Sequence, residues 1–200
     1  MTGNLIYGLI KKKYKPSNSQ LIVSLNHKNV ILRKKPLVIV GSHRKESDTL
    51  TFTEEVMKGI PHKLINLKDR KISAYCYSGK YSEDDDFEKI ASLMAVHNPI
   101  VFATPVYWYT MSGLMKDYFD RITDLLTINK TGGRRLRGKT MFVISVGSDK
   151  KCPDGFEMPF RNTATYLGMR FGGIAYQSTK RKNIKDFEII RRRLIRHTYI

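Results

Sequence analysis

The chain predicts an α/β fold, a doubly wound parallel sheet of five strands in the order 2-1-3-4-5 with helices on both faces. Three observations point there. Short, continuous apolar runs recur at residues 37–40, 100–103 and 140–146, as strands buried on both faces should read. Between the runs lie segments whose apolar residues keep the three-and-four spacing of one helix face. And Gly41-Ser42 and Gly147-Ser148 stand directly past two of the runs, at the strand ends where open α/β sheets take their ligands.

The elements follow in order. Residues 1–35 differ from the rest. Lys11, Lys12, Lys13 and Lys15 mark a basic arm, and residues 21–25, 26–29 and 30–32 read as strand, turn and strand. A small hairpin extension ahead of a main domain over 36–200 is therefore expected. Pro36 opens the first core strand, 37–40. After the loop 41–49 comes a helical pattern of Leu50, Phe52, Val56, Met57 and Ile60, ended by Pro61. Residues 62–67 are the second strand, and 71–79 a loop with some β character. Asp84, Asp85 and Asp86 open a helix from about Phe87 to His97, where acids complement the positive end of the helix dipole. A metal site there would need ligands from elsewhere, and none is apparent.

The third strand, 100–103, leads through 104–113 into one amphipathic helix. Leu114, Met115, Tyr118, Phe119, Ile122, Leu125 and Leu126 form its apolar face, with Lys116, Asp117, Asp120, Arg121 and Asp124 mostly on the other. Gly132 and Gly133 and a basic patch of Arg134, Arg135, Arg137 and Lys139 precede the fourth strand, 140–146. Residues 159–169 read as helix, 171–176 as a last short strand, and 184–197 as a basic helix carrying Arg191, Arg192, Arg193 and Arg196. No internal repeat is present.

The totals bound the function. Of 200 residues 41% are hydrophobic, enough for a core, while 36 Lys and Arg against 18 Asp and Glu leave a formal charge of +18. Such an excess favours anionic partners such as nucleotides, nucleic acid or acidic surfaces, or simply a well-solvated surface. Cys76 and Cys152 form neither a CxxC pair nor a disulfide framework, so a reducing cytoplasm is the expected compartment. The apolar stretch 5–10 is too short for a secretory signal, and its charges follow it instead of preceding it. The uncharged run 97–115 holds Pro99 and Pro105 and makes a poor membrane span. The chain is expected to be soluble.

Two loops carry the chemistry. In the first, a strand feeds Gly41, Ser42, His43 and Arg44 and then Ser47, Asp48 and Thr49 at a helix N-terminus. Backbone N–H groups and the positive helix end then aim at one spot, with hydroxyls from Ser42, Ser47 and Thr49 and a charged donor from Arg44. Ser47 or Asp48 alone would be explained as a helix cap. Neither a Walker loop nor a GxGxxG fingerprint is present, so the loop suits a single phosphate. In the second loop Pro105, Val106, Tyr107, Trp108 and Tyr109 stand at a strand's carboxyl end, which suits a flat aromatic ligand, or else aromatics that cap the core. In a 2-1-3-4-5 sheet the two loops are neighbours at the switch between strands one and three.

At these residues the sequence resembles the flavodoxin-like, NAD(P)H-dependent FMN reductases. Residues 41–49 look like that family's Gly-Ser-x-Arg-x-x-Ser-x-Thr phosphate loop. Residues 104–121 look like its Pro-Val-Tyr-Trp-x-x-x-x-Gly…Lys…Asp-Arg signature. The resemblance covers roughly 37–150, thins toward 176 and is absent before about 35. It implies that Ser42, Arg44, Ser47, Asp48 and Thr49 hold the FMN phosphate. Pro105, Val106, Tyr107, Trp108 and Tyr109 would line the isoalloxazine, with Gly147 and Ser148 closing the other side. It also implies NADH or NADPH as hydride donor, a small-molecule electron acceptor, a homodimer, and no catalytic side chain, because the flavin carries the chemistry. A flavodoxin-type electron carrier is the nearer alternative. A basic nucleic-acid-binding or regulatory protein is the remoter one, since no helix-turn-helix or zinc pattern accompanies the charge.

Overall fold

The computed structural model describes residues 34–44, 46–180 and 184–199; the expected hairpin over 21–32 lies outside them. The strands are β1 (Leu37–Val40), β2 (Lys63–Asn66), β3 (Ile100–Pro105), β4 (Thr140–Gly147) and β5 (Arg170–Ser178). All pair in parallel, in the order β2-β1-β3-β4-β5. The helices are α1 (Asp48–Met57), α2 (Phe87–Val96), α3 (Gly113–Arg121), α4 (Asp124–Thr127), α5 (Lys130–Arg134), α6 (Met158–Tyr166) and α7 (Ile184–Thr198).

The alternation of each strand explains the double winding. Leu37, Ile39, Ile100, Phe102, Met141 and Val143 face one side, where Phe87 and Met94 of α2, Tyr118 of α3 and Phe160 of α6 cover them. Val38, Val40, Val101, Ala103, Phe142 and Ile144 face the other, against Phe52 and Val56 of α1 and Ile190 and Leu194 of α7. Strands with apolar residues at every position have no polar face to offer water, so both sheet faces must be covered. The β4–β5 register shifts between Met141 and Phe142, beside Gly172, where an added Cβ would overlap the Phe142 ring.

The stretch 71–79 is a loop, as expected, and holds no strand. Two expectations change. The single helix expected over 114–126 stops at Arg121 and resumes at Asp124, because i→i−3 bonds from Ile122 to Phe119 and Thr123 to Asp120 tighten the chain there. That tightening draws Arg121 and Asp124 together, and both are buried at 2% exposure instead of lying on a solvated face. Arg121 donates to Asp124 through Nε at 2.7 Å and to Asp85 through Nη1 at 2.8 Å, and its guanidinium lies 3.3 Å from the Tyr81 ring centroid. Charges buried in this way must be paired.

The acidic triplet thus straps down the 71–86 loop more than it serves the helix dipole. Asp85 takes Arg121, Asp84 pairs with Lys71, and Asp86 pairs with Lys89 at 2.9 Å. Among the described residues no group of His, Cys, Asp and Glu is placed to hold a metal ion, and no helix is long and apolar enough to cross a membrane.

Candidate functional site

The carboxyl ends of β1, β3 and β4 are stitched together strand by strand. Gly41 N–H donates to the Ala103 carbonyl at 2.8 Å, Val106 N–H to Val146 at 2.8 Å, and Thr179 N–H to Gly147 at 2.8 Å. Gly41 packs so tightly on α3 that a Cβ would sit 2.8 Å from the Met115 Cβ, so only glycine permits this approach. Ser112 joins the two loops. Its hydroxyl donates to the Gly41 carbonyl at 2.6 Å and accepts from Met115 N–H at 3.2 Å, capping α3. Its own N–H donates to the Thr104 hydroxyl at 3.0 Å.

A cleft of about 320 Å³ opens above these ends. From the first loop it is lined by Ser42, Arg44, Ser47, Asp48 and Thr49, from the second by Pro105, Val106 and Tyr107, and from the end of β4 by Gly147 and Ser148. Two loops more than fifty residues apart in sequence therefore share one cleft at the β1/β3 switch. Ser47 caps α1 by accepting from Leu50 N–H at 3.1 Å. The amides of Asp48 and Thr49 in the first turn have no acceptor among the described residues, as at any helix N-terminus. Arg44 has no acidic partner among the described residues, and the Ser42 hydroxyl, in a residue 2% exposed, makes no hydrogen bond among them. This donor set suits one phosphate group. The exposed Asp48 carboxylate would repel such a group, so the backbone N–H is the useful part of that residue.

The second loop departs from a flat aromatic wall. Tyr107 and Thr110 bond each other through both backbone pairs, at 2.9 and 3.1 Å, around Trp108 (φ 48°) and Tyr109 (φ 63°). Positive φ at both central residues makes a type I′ turn, a conformation bulky side chains rarely adopt. The turn carries the Trp108 and Tyr109 side chains into solvent, with the residues 93% and 69% exposed, and neither lines the cleft. Two lining residues escaped the sequence reading, Val146 and Thr179. Thr179 follows β5, and nothing in a Ser-Thr pair at a strand end marks it. Beneath Gly147 the buried Tyr176 donates its hydroxyl to the Asp149 carbonyl at 2.8 Å, and burial raises its pKa.

A parallel sheet in this order, with a cleft at its switch point, defines a protein of the flavodoxin-like class. The chain belongs to the NADPH-dependent FMN reductase family, whose model matches residues 35–178. It is 36% identical over 97 residues to the uncharacterized NAD(P)H oxidoreductase YrkL of Bacillus subtilis, covering 43% of this chain and 56% of that protein. It is 27% identical over 145 residues to the putative NAD(P)H-dependent FMN-containing oxidoreductase YwqN of the same organism, covering 68% of this chain and 80% of that one. The match thus spans little more than half the length of YrkL. Among solved structures, a Trp repressor binding protein from Bacillus subtilis shares the fold at a TM-score of 0.64 and 24% identity, over 81% of this chain and 98% of that one. An FMN-dependent NADH-azoreductase from Bacillus anthracis, solved with FMN, shares it at 0.59 and 14%, again over 81% and 98%.

Proposed function

We propose that this chain is an oxidoreductase that binds FMN in the cleft at the β1/β3 switch, takes reducing equivalents from NADH or NADPH and passes them to a small acceptor. The acceptor class is a quinone, an azo or nitro aromatic, free flavin or a ferric chelate. The observation that carries the reading is the convergence of a monophosphate-type donor set and Pro105, Val106 and Tyr107 on one cleft, lined by all the candidate residues save Trp108 and Tyr109.

Bound FMN supplies the two-electron redox chemistry. The chain's own residues bind and orient. Arg44 and the hydroxyls of Ser42, Ser47 and Thr49, with the amides of Asp48 and Thr49, clasp the phosphate at the positive end of α1. Pro105 to Tyr107 back one edge of the ring system, and Gly147 and Ser148 back the other. The ten-residue span from Thr104 to Gly113 keeps its shape through Ser112 and the 107–110 turn. The rings of Trp108 and Tyr109, held next to Tyr107, offer stacking surface to a second planar molecule. Their backbone N–H groups have no acceptor among the described residues and are available to polar ring atoms. A homodimer, residues 1–35 as an extension to a domain over 36–200, and a cytoplasmic setting belong to the same proposal.

The flavodoxin-type carrier remains the competing reading. Purified protein should be yellow and release FMN on denaturation, and anaerobic mixing with NADPH should bleach the flavin band within a turnover. A flavin that stays oxidised under excess NADH and NADPH would favour the carrier, and a chain with no affinity for FMN would overturn the cleft assignment. Ser47→Ala should weaken FMN binding with little change in the visible spectrum.

A further inference from the structure

At the other end of the sheet, where β3 and β4 begin, Lys34, Arg135, Arg137 and Lys139 line a second cavity of about 650 Å³. It is remote from the first cleft. Lys139 precedes β4 and Gly147 ends it, and at about 3.3 Å per residue they stand roughly 26 Å apart. Among the described residues no carboxylate lines this cavity, and none of the four cations has an acidic partner.

Part of the positive charge has a local use. Lys139, 6% exposed, donates its Nζ to the His97 carbonyl at 2.7 Å, capping the end of α2. The ends of α2 and α5 each present at most about half a negative charge, against four full positive ones. The surplus registers on Lys139. Burial first, then the neighbouring Lys34 and Arg135, bring its pKa down from 10.5 to about 8.

We infer that this cavity binds a phosphate chain of two or more groups, presented by a nucleoside polyphosphate or by inorganic polyphosphate. Arg135 and Arg137 supply planar forks for phosphate oxygens, Lys34 and Lys139 supply point charges, and Ala95 with the half-exposed Val96 forms a short apolar wall. The volume falls within the roughly 300–1,000 Å³ of small-molecule sites. A single-stranded nucleic-acid groove would add aromatic stacking platforms, and no aromatic lines this cavity among the described residues.

The test is calorimetric titration of the full chain, loaded with FMN, with inorganic tripolyphosphate and with ATP at 0.15 M salt. Saturable binding is expected without release of FMN, weakening from pH 7 to pH 9 as Lys139 gives up its proton. Arg135→Gln with Arg137→Gln, two exposed positions, should lower the affinity by roughly tenfold or more while leaving the flavin spectrum and melting temperature in place. The charge-matched pair Arg192→Gln with Arg196→Gln on α7 should change it less than about twofold. ATP binding tighter than tripolyphosphate would identify a nucleotide as the source, and equal affinity a bare phosphate chain. Equal losses in the two double variants, displacement of FMN, absence of saturable binding, or tighter binding of an unrelated single-stranded DNA oligonucleotide would each overturn the proposal.

Discussion

Replacing Asp85 by Asn isolates the ion cluster that holds the 71–86 loop. Asp85 accepts from Arg121 Nη1 at 2.8 Å, Ser73 N–H at 2.8 Å and Phe87 N–H at 2.9 Å. Burial alone would raise its pKa, but these donors more than offset that and bring the carboxyl from 3.8 to about 2. A shift of that size corresponds to roughly 2–3 kcal/mol of stability. Because the folded pKa lies below the unfolded one, the contribution is complete above about pH 4 and fades as the pH falls through about 2. Asp85→Asn removes it at every pH and also leaves Arg121 with Asp124 as its remaining acid, so the cost near neutrality is about 3–5 kcal/mol. Urea unfolding from pH 7 to pH 2.5 should show that gap at pH 7 and its narrowing below pH 4. A gap under about 1 kcal/mol at pH 7, or one constant across the range, would refute the account of the cluster.

Three further changes probe other parts of the frame. Ser112→Ala deletes the α3 cap and leaves the Gly41 carbonyl without its hydroxyl donor, so thermal unfolding should show a loss of about 2–4 kcal/mol, together with weaker FMN binding by fluorescence titration. Thr140 Oγ1 is buried without a partner among the described residues, and Thr140→Val should stabilise the fold by about 1 kcal/mol, read as a higher urea midpoint. Trp108→Asn with Tyr109→Gly supplies the residues a type I′ turn prefers. Stability should rise by about 1–2 kcal/mol, while the KM for a planar acceptor increases if the two rings serve as its platform. A fall in stability would contradict the strained-turn reading.

Much of the sheet was legible because a doubly covered strand has no polar alternation to blur it. Residues 37–40 coincide with β1, and β3 runs only two residues beyond the expected 100–103, to Pro105. That the loops after β1 and β3 would meet at one cleft was legible from the strand order, since both leave the sheet at its switch point. Arg121 and Asp124 were misread because an i,i+3 ion pair on an amphipathic helix looks the same in sequence whether solvated or buried. Only the placement of Asp85, thirty-six positions away, distinguishes the two cases. The Trp108–Tyr109 turn was opaque because its backbone conformation runs against the preference of both residues. Its geometry comes from the paired bonds between Tyr107 and Thr110, not from local propensity.

The Ser112 hydroxyl has a consequence for any attempt to re-shape this cleft. Since it grips the carbonyl of Gly41 while capping the helix after the aromatic turn, the two jaws of the cleft are one mechanical part. Transplanting either loop from a relative, without the serine and the glycine it reaches, would bring in a sequence whose geometry was set by a missing neighbour. Exchanging both together with their strand ends keeps the coupling, and is the route by which the pocket's preferences can be altered without loosening its frame.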